Sequence, residues 1–193
     1  MAYLPREQRR VAIIDAAVRV ARRSGLSAVT ARTVASELAG SPGLIHQHFA
    51  SMPDLQAAAW ESYVAGQAAT FADAVAHGAD PLHDFFANHV DAEHASELGL
   101  WADAWAHALR TPAFAVAFTQ SLDIVVEALL AAAPDMHPDE ARRSTLLAIA
   151  LAGMQRIAPG SYTPETVSRI LGLSEHELSE HELVDRGSDA TAS

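Results

Sequence analysis

The chain has 193 residues, half of them apolar but only 6% aromatic, with a formal net charge of −11. It has no cysteine, which excludes a disulfide framework, a thiolate metal site and a cysteine nucleophile. The longest apolar run, Leu146 to Met154, falls well short of the ~18 residues that suggest a membrane span. No apolar stretch follows the N-terminal arginines as it would in a signal peptide, so the reading is a cytoplasmic protein with no membrane partner. Charge is unevenly placed: residues 1–50 hold seven arginines against Glu7, Asp15 and Glu37, while the acids dominate the rest. A basic head on an acidic body can approach phosphates while the body turns away from them.

In chain order, Val11, Ile14, Val18 and Ala21 recur at helical spacing and predict a helix over 6–24. Short helices follow over 31–38 and 42–48, the second opening at Ser41-Pro42, and a long helix runs over 52–76 behind Ser51. Asp80-Pro81, Thr111-Pro112 and Thr163-Pro164 open helices in the same way, because a side-chain oxygen can cap a helix N–H and a first-position proline loses no hydrogen bond. The remaining helices are placed over 81–95, 98–109, 112–132, 138–157 and 164–173. No alternating β-branched run makes a strand, so the fold class is all-α. The domain reading is a head over 1–50, a helical body over 51–173 with no linker between them, and an acidic tail over 174–193 in which Ser-Glu-His-Glu-Leu occurs twice in tandem.

Two short helices around a tight turn at Gly40 have the organisation of a helix-turn-helix, whose second helix lies in a DNA major groove. Val34, Leu38, Ile45 and Phe49 should face Ile13, Ala17 and Val20, which directs Pro42, Gly43, Leu44, His46, Gln47 and His48 mainly outward. Catalytic and metal readings fail on spacing. His176 and His181 are five apart, so on a helix they diverge by about 140° instead of the ~40° of a zinc-binding pair. His83, His89 and His94 have no repeating four-residue spacing, and there is no nucleophile elbow or phosphate-cradling glycine loop. The expectation is a protein that is not an enzyme and carries no cofactor or metal.

Gly25, Thr30, Arg32, Val34-Ala35, Ser41, Gly43, His48-Phe49 and Leu55 stand where regulators of the TetR family have their recurring residues. Leu100-Trp101-Ala102-Asp103-Ala104-Trp105, leading to Leu109-Arg110-Thr111-Pro112, is similar to the family's middle helix and the turn after it. The resemblance covers the first 55 residues well and the rest loosely. It implies a helix-turn-helix head on a helical domain for dimerisation and effector sensing: a DNA-binding transcriptional regulator, read as a repressor.

The implied phosphate contacts are Thr30, Arg32, Thr33 and Ser51, with Ser41, Pro42 and Gly43 beside them. Gln47 could pair with an adenine, Leu44 could meet a thymine methyl, and His46 and His48 could donate to phosphate or a base edge. Phe71, Phe86, His89, Trp101, Trp105 and Phe118 are the expected wall of a site for a small, largely apolar effector, with His89 or His107 orienting it. Leu146, Leu147, Ala150, Leu151, Met154, Val167, Ile170 and Leu171 suit a four-helix interface between two protomers, as two heads on a palindromic operator require. The chain departs from the family at Ala39, where a glycine is usual, at His46, where a tyrosine is common, and at Met52, where a lysine is common. The last two changes weaken the phosphate anchor, so the alternative is a TetR-fold ligand- or partner-binding protein with weakened DNA binding.

Overall fold

A computed structural model describes residues 5–90 and 95–172, all of whose regular elements are helical. The sequence of elements is α1 (Arg6–Ser24), a single 3-10 turn (Leu26–Ala28), α2 (Ala31–Glu37), α3 (Pro42–His46), α4 (Met52–Ala76) and α5 (Pro81–Val90), then α6 (Ala95–Ala108), α7 (Pro112–Ala132), α8 (Pro138–Ile157) and α9 (Pro164–Leu171). The all-α reading holds. Helix starts agree with the proline-based reading, while α3 ends two residues early and the 3-10 turn lacked any signal. The tandem repeat at 174–183, the acidic tail and His94 lie outside the described residues.

Only some of the expected caps form. Asp80 Oδ1 accepts from His83 N–H at 2.8 Å, Ser51 Oγ from Asp54 N–H at 3.2 Å and Thr163 Oγ1 from Thr166 N–H at 3.4 Å. Ser41 and Thr111 make no side-chain cap, so proline alone marks those starts. His137 caps α8 instead, its Nδ1 accepting from Asp139 N–H at 3.2 Å, a role that residue type does not advertise.

One apolar cluster runs through head and body, from Ile13, Ala17 and Val34 by way of Leu55 and Trp60 to Phe114, Phe118 and Ile149. Trp60 is its largest fully buried side chain. Its ring lies 4.7 Å from Trp101 in a T-shaped pair and 6.0 Å from Phe118 in a stacked one. Its indole N–H donates to Ser121 Oγ at 3.0 Å, and that hydroxyl donates to Phe118 O. A buried tryptophan thus has a partner for its one polar atom, which is the condition for using so large a ring in a core. By length and composition α7 could cross a membrane, with a mean hydropathy of 1.6, although Asp123 and Glu127 interrupt any strictly apolar run. Here it is a bundle helix that packs chiefly on α4 and buries Phe114, Phe118 and Leu129.

Candidate DNA-binding face and effector cavity

The head is set by the turn between α2 and α3. Gly40 N–H bonds to Ala35 O at 2.8 Å and Ala39 N–H to Ser36 O at 3.1 Å, a Schellman-type ending in which Ala39 takes φ +50°. A glycine would hold that position without the clash a Cβ brings. Val34, Ile45 and Phe49 are buried against α1, and Leu38 is half-buried. Pro42, Gly43, His46 and Gln47 are thereby exposed on one side of α3, while Leu44 and His48 are half-buried. At the start of α2, Thr30 Oγ1 accepts from Thr33 N–H and Thr33 Oγ1 from Thr30 N–H, a capping box with threonine in the place of glutamate. Arg32 is exposed on the next residue.

Much of the head's positive charge is engaged internally. Arg19 and Arg23 both bond Glu37, at 2.9 and 3.0 Å, and hold its carboxyl below the ordinary carboxylate range. Arg10 donates to His48 O at 3.0 Å and lies 4.1 Å over the Phe49 ring. Arg6, Arg9 and Arg32 form no ion pair among the described residues, and Arg32 is exposed in the first turn of α2.

Behind the face, the body holds the head by hydrogen bonds. Asp103 on α6 accepts from Leu26 N–H at 2.6 Å. Gly25 has φ +83°, and a Cβ there would come 3.0 Å from the Asp103 carboxylate, so both backbone angle and close approach demand glycine. Gln56 on α4 donates to Leu26 O and Val29 O at 3.2 and 3.3 Å. Those two carbonyls orient its amide, so Oε1 accepts from His107 Nε2 at 3.2 Å and fixes the Nε2–H tautomer. Burial lowers the pKa of His107, which favours the neutral ring. Helices α4 and α6 thus converge on the turn that precedes α2.

A cavity of about 610 Å³ opens between α4, α5, α6, α7 and α8. Tyr63, Phe71, Phe85 and Trp101 supply aromatic wall, and Asp84, His89 and Thr145 supply polar groups. His89 is only 4% exposed. Gln155 donates to His89 O at 2.7 Å and its Oε1 lies 3.1 Å from His89 Nδ1. Burial lowers the pKa of His89 and raises that of Asp84.

A family model described as bacterial regulatory proteins of the tetR family matches residues 13–59. Over this span the chain is similar to the N-terminal head of TetR-family regulators. The span contains the end of α1, the whole turn region and the first residues of α4. Among solved structures, the multidrug binding protein EbrR in complex with proflavin is 27% identical, with a TM-score of 0.59 over 85% of this chain and 98% of that one. A transcriptional regulator from Rhodococcus sp. Rha1 is 24% identical, with a TM-score of 0.62 over 84% and 91% of the two chains. A regulator from Saccharomonospora viridis in complex with choline is 20% identical, with a TM-score of 0.62 over 86% and 94%. No curated protein sequence matches the chain.

Within this TetR-type fold the expected site residues divide. In the head, Thr30, Arg32, Ser41, Pro42, Gly43, His46 and Gln47 are exposed on and around α3, with Thr33, Leu44, His48 and Ser51 half-buried. Thr33 hydroxyl donates to Ala28 O at 2.6 Å, which gives it a structural task in the cap. In the body, Phe71, His89 and Trp101 line the cavity, whereas Phe86 and Phe118 are buried core residues outside its lining and Trp105, 44% exposed, does not line it either. Four residues along a helix share a face only approximately, and here the 40° offset takes Trp105 out of the site. His107 belongs to the joint with the head and not to the cavity. Of the expected interface, Leu151 and Val167 are buried within the protomer, which corrects their assignment to a surface. Leu146, Ala150 and Ile170 are exposed, Leu147, Met154 and Leu171 half-buried, and Ile157, at 78% exposure, extends the α8 stripe beyond the residues foreseen. Gln56, Asp84, Thr145 and Gln155 were missed because single polar residues inside apolar helical runs carry no motif.

Proposed function

We propose that the chain is a dimeric transcriptional repressor that reads a palindromic operator through α3 and responds to a small molecule held in the body cavity. The observation that carries this reading is the joint: α6, which lines the cavity through Trp101, also grips the turn before α2 through Asp103. An occupant that shifts α6 therefore bears on the element that aims α3. The ligand-bound relatives support a cavity of this kind, since one is in complex with proflavin and another with choline. In this reading Arg32 neutralises a phosphate and Gln47 reads a base edge, with Thr30, Ser41 and Ser51 close to the backbone and His46 and His48 flanking the contact. Two heads spaced for successive major grooves, about 34–36 Å apart, require a two-fold dimer. The exposed α8 stripe of Leu146, Ala150 and Ile157, with Ile170 on α9, is its proposed surface. Ala150→Arg should then give a monomer in sedimentation, and a wild-type monomer at micromolar concentration would refute the dimer.

A second reading, a ligand-binding protein whose head no longer binds DNA, is favoured by one observation: three of the head's arginines are tied to Glu37, His48 and Phe49. Selection of bound duplexes from a random pool separates the two. Enrichment of a palindrome supports the regulator, and no enrichment at low salt, where phosphate contacts are strongest, supports the second reading.

A further inference from the structure

The cavity's polar wall has a consistent sense. Gln155 gives a proton to His89 O at 2.7 Å, so its amide is oriented with Oε1 toward the ring, and the imidazole proton sits on Nδ1, 3.1 Å away. Nε2 of His89 then carries a lone pair and makes no hydrogen bond among the described residues. Burial pushes the ring's pKa down, which keeps that lone pair unprotonated at neutral pH. Thr145, 2% exposed, donates its only hydroxyl proton to Ala141 O at 2.9 Å within α8, leaving acceptor lone pairs. Thr70, nearer the rim, is engaged in the same way with Gly66 O at 3.1 Å. Asp84 brings a carboxylate that can only accept when ionised, and its raised pKa reports a charge short of solvation. Arg22 and Gln67, the wall's own donors beside Tyr63, are engaged in interactions of their own.

A cavity whose buried polar groups mostly accept hydrogen bonds leaves them unpaired around a ligand that also only accepts, at the full desolvation penalty. The aromatic rings complement a flat, polarisable cation, since ring faces attract positive charge. We propose that the cavity selects flat organic nitrogen cations bearing N–H donors, with His89 Nε2, Thr145 Oγ1 and the Asp84 carboxylate as their acceptors. This rests on the cavity being the effector site and names the chemistry of its occupant. It also revises the expectation of a largely apolar effector.

Calorimetric titration of the full chain with matched probes tests it at mildly alkaline pH. One pair is 9-aminoacridine, a cation with N–H donors, against neutral acridine, which has the same rings and only an acceptor. The other is 2-naphthylmethylammonium against 2-methylnaphthalene. Each cation should bind at least about tenfold tighter than its partner, equivalent to ~1.4 kcal/mol. Thr145→Val, which keeps shape, and Asp84→Asn, which removes charge, should each weaken the cations about three- to tenfold and leave the neutral probes unchanged. Both variants must keep the wild-type melting temperature, and His89→Gln provides a second acceptor test if either fails to fold. Equal affinities within the pairs, or equal losses for both members, would overturn the donor-cation assignment while leaving an effector cavity in place. Binding of none of the four probes would overturn the effector-cavity reading itself and this assignment with it.

Discussion

In the head, polar side chains bond within its own three helices: Thr30 with Thr33 in the α2 cap, Arg19 and Arg23 on α1 with Glu37 on α2, Arg10 on α1 with His48 O just after α3. In the body, the corresponding groups bond across helices and frame a space: Gln155 with His89, Arg156 with Gly99 O at 2.8 Å, Trp60 with Ser121. A Cβ on residue 99 would lie 2.6 Å from Arg156 Nη1, the far end of a flexible side chain that can shift to make room. The bonds of the head tie α1, α2 and α3 to one another and leave the α3 face exposed. The bonds of the body run between helices that surround a cavity. The two meet at Asp103, Gln56 and His107, where a displacement in one can be felt by the other.

The largest test of that division is Trp60→Ala, because the ring belongs to the core shared by both regions. Its loss should cost about 3–5 kcal/mol in chemical denaturation, with head and body still unfolding in one transition. A separate transition for the head would show that the two regions are independent folding units. Asp103→Ala strips the acceptor from Leu26 N–H and should cost about 1–3 kcal/mol, while Asp103→Asn keeps an acceptor and most of the stability. Only the alanine variant should lose the effect of a cavity ligand on DNA binding, measured by anisotropy of a labelled duplex.

On the α3 side, Gln47→Ala should cost about 1–3 kcal/mol on the selected operator and leave random DNA nearly unaffected. Arg32→Ala should weaken both alike and make the salt dependence shallower by about one counterion. Equal losses for Gln47→Ala on both duplexes would remove it from base reading.

Acid should act on the joint and the cavity first. His89 and His107 have folded-state pKa values below the ordinary 6.5, so they add stability above that pH, and it is lost as pH falls and the unfolded chain takes up protons. Thermal melts should fall between neutral and mildly acidic pH, less so for His89→Gln. The smallest expected change is in the head: Ala39→Gly relieves a left-handed alanine at φ +50° and should stabilise by about 1 kcal/mol.

The fold was legible in the sequence because proline after a capping residue marks where a helix can begin: α3, α5, α7, α8 and α9 begin at a proline and α4 one residue before one, whereas α6, with no proline near it, begins at Ala95 and not at the expected 98. The head was legible because its buried positions repeat at three and four residues and because a compact motif fills one continuous segment. The cavity was only half legible. Aromatics at helical spacing say that a helix is buried, not whether the space beside it is filled, and so Trp101 and Phe71 could not be told from Phe86 and Phe118. The joint was hidden for a different reason: Gln56 and Leu26 are 30 residues apart, and Asp103 and Leu26 are 77, with no pattern linking them.

The most direct test of the account is the affinity of the selected operator duplex measured by anisotropy with and without 9-aminoacridine at saturation. Filling the cavity should weaken operator binding by about tenfold or more, a coupling of ~1.4 kcal/mol or above, and Asp103→Ala should abolish the difference. An operator affinity that stays the same while calorimetry shows the cavity occupied would contradict the claim that the body controls the head.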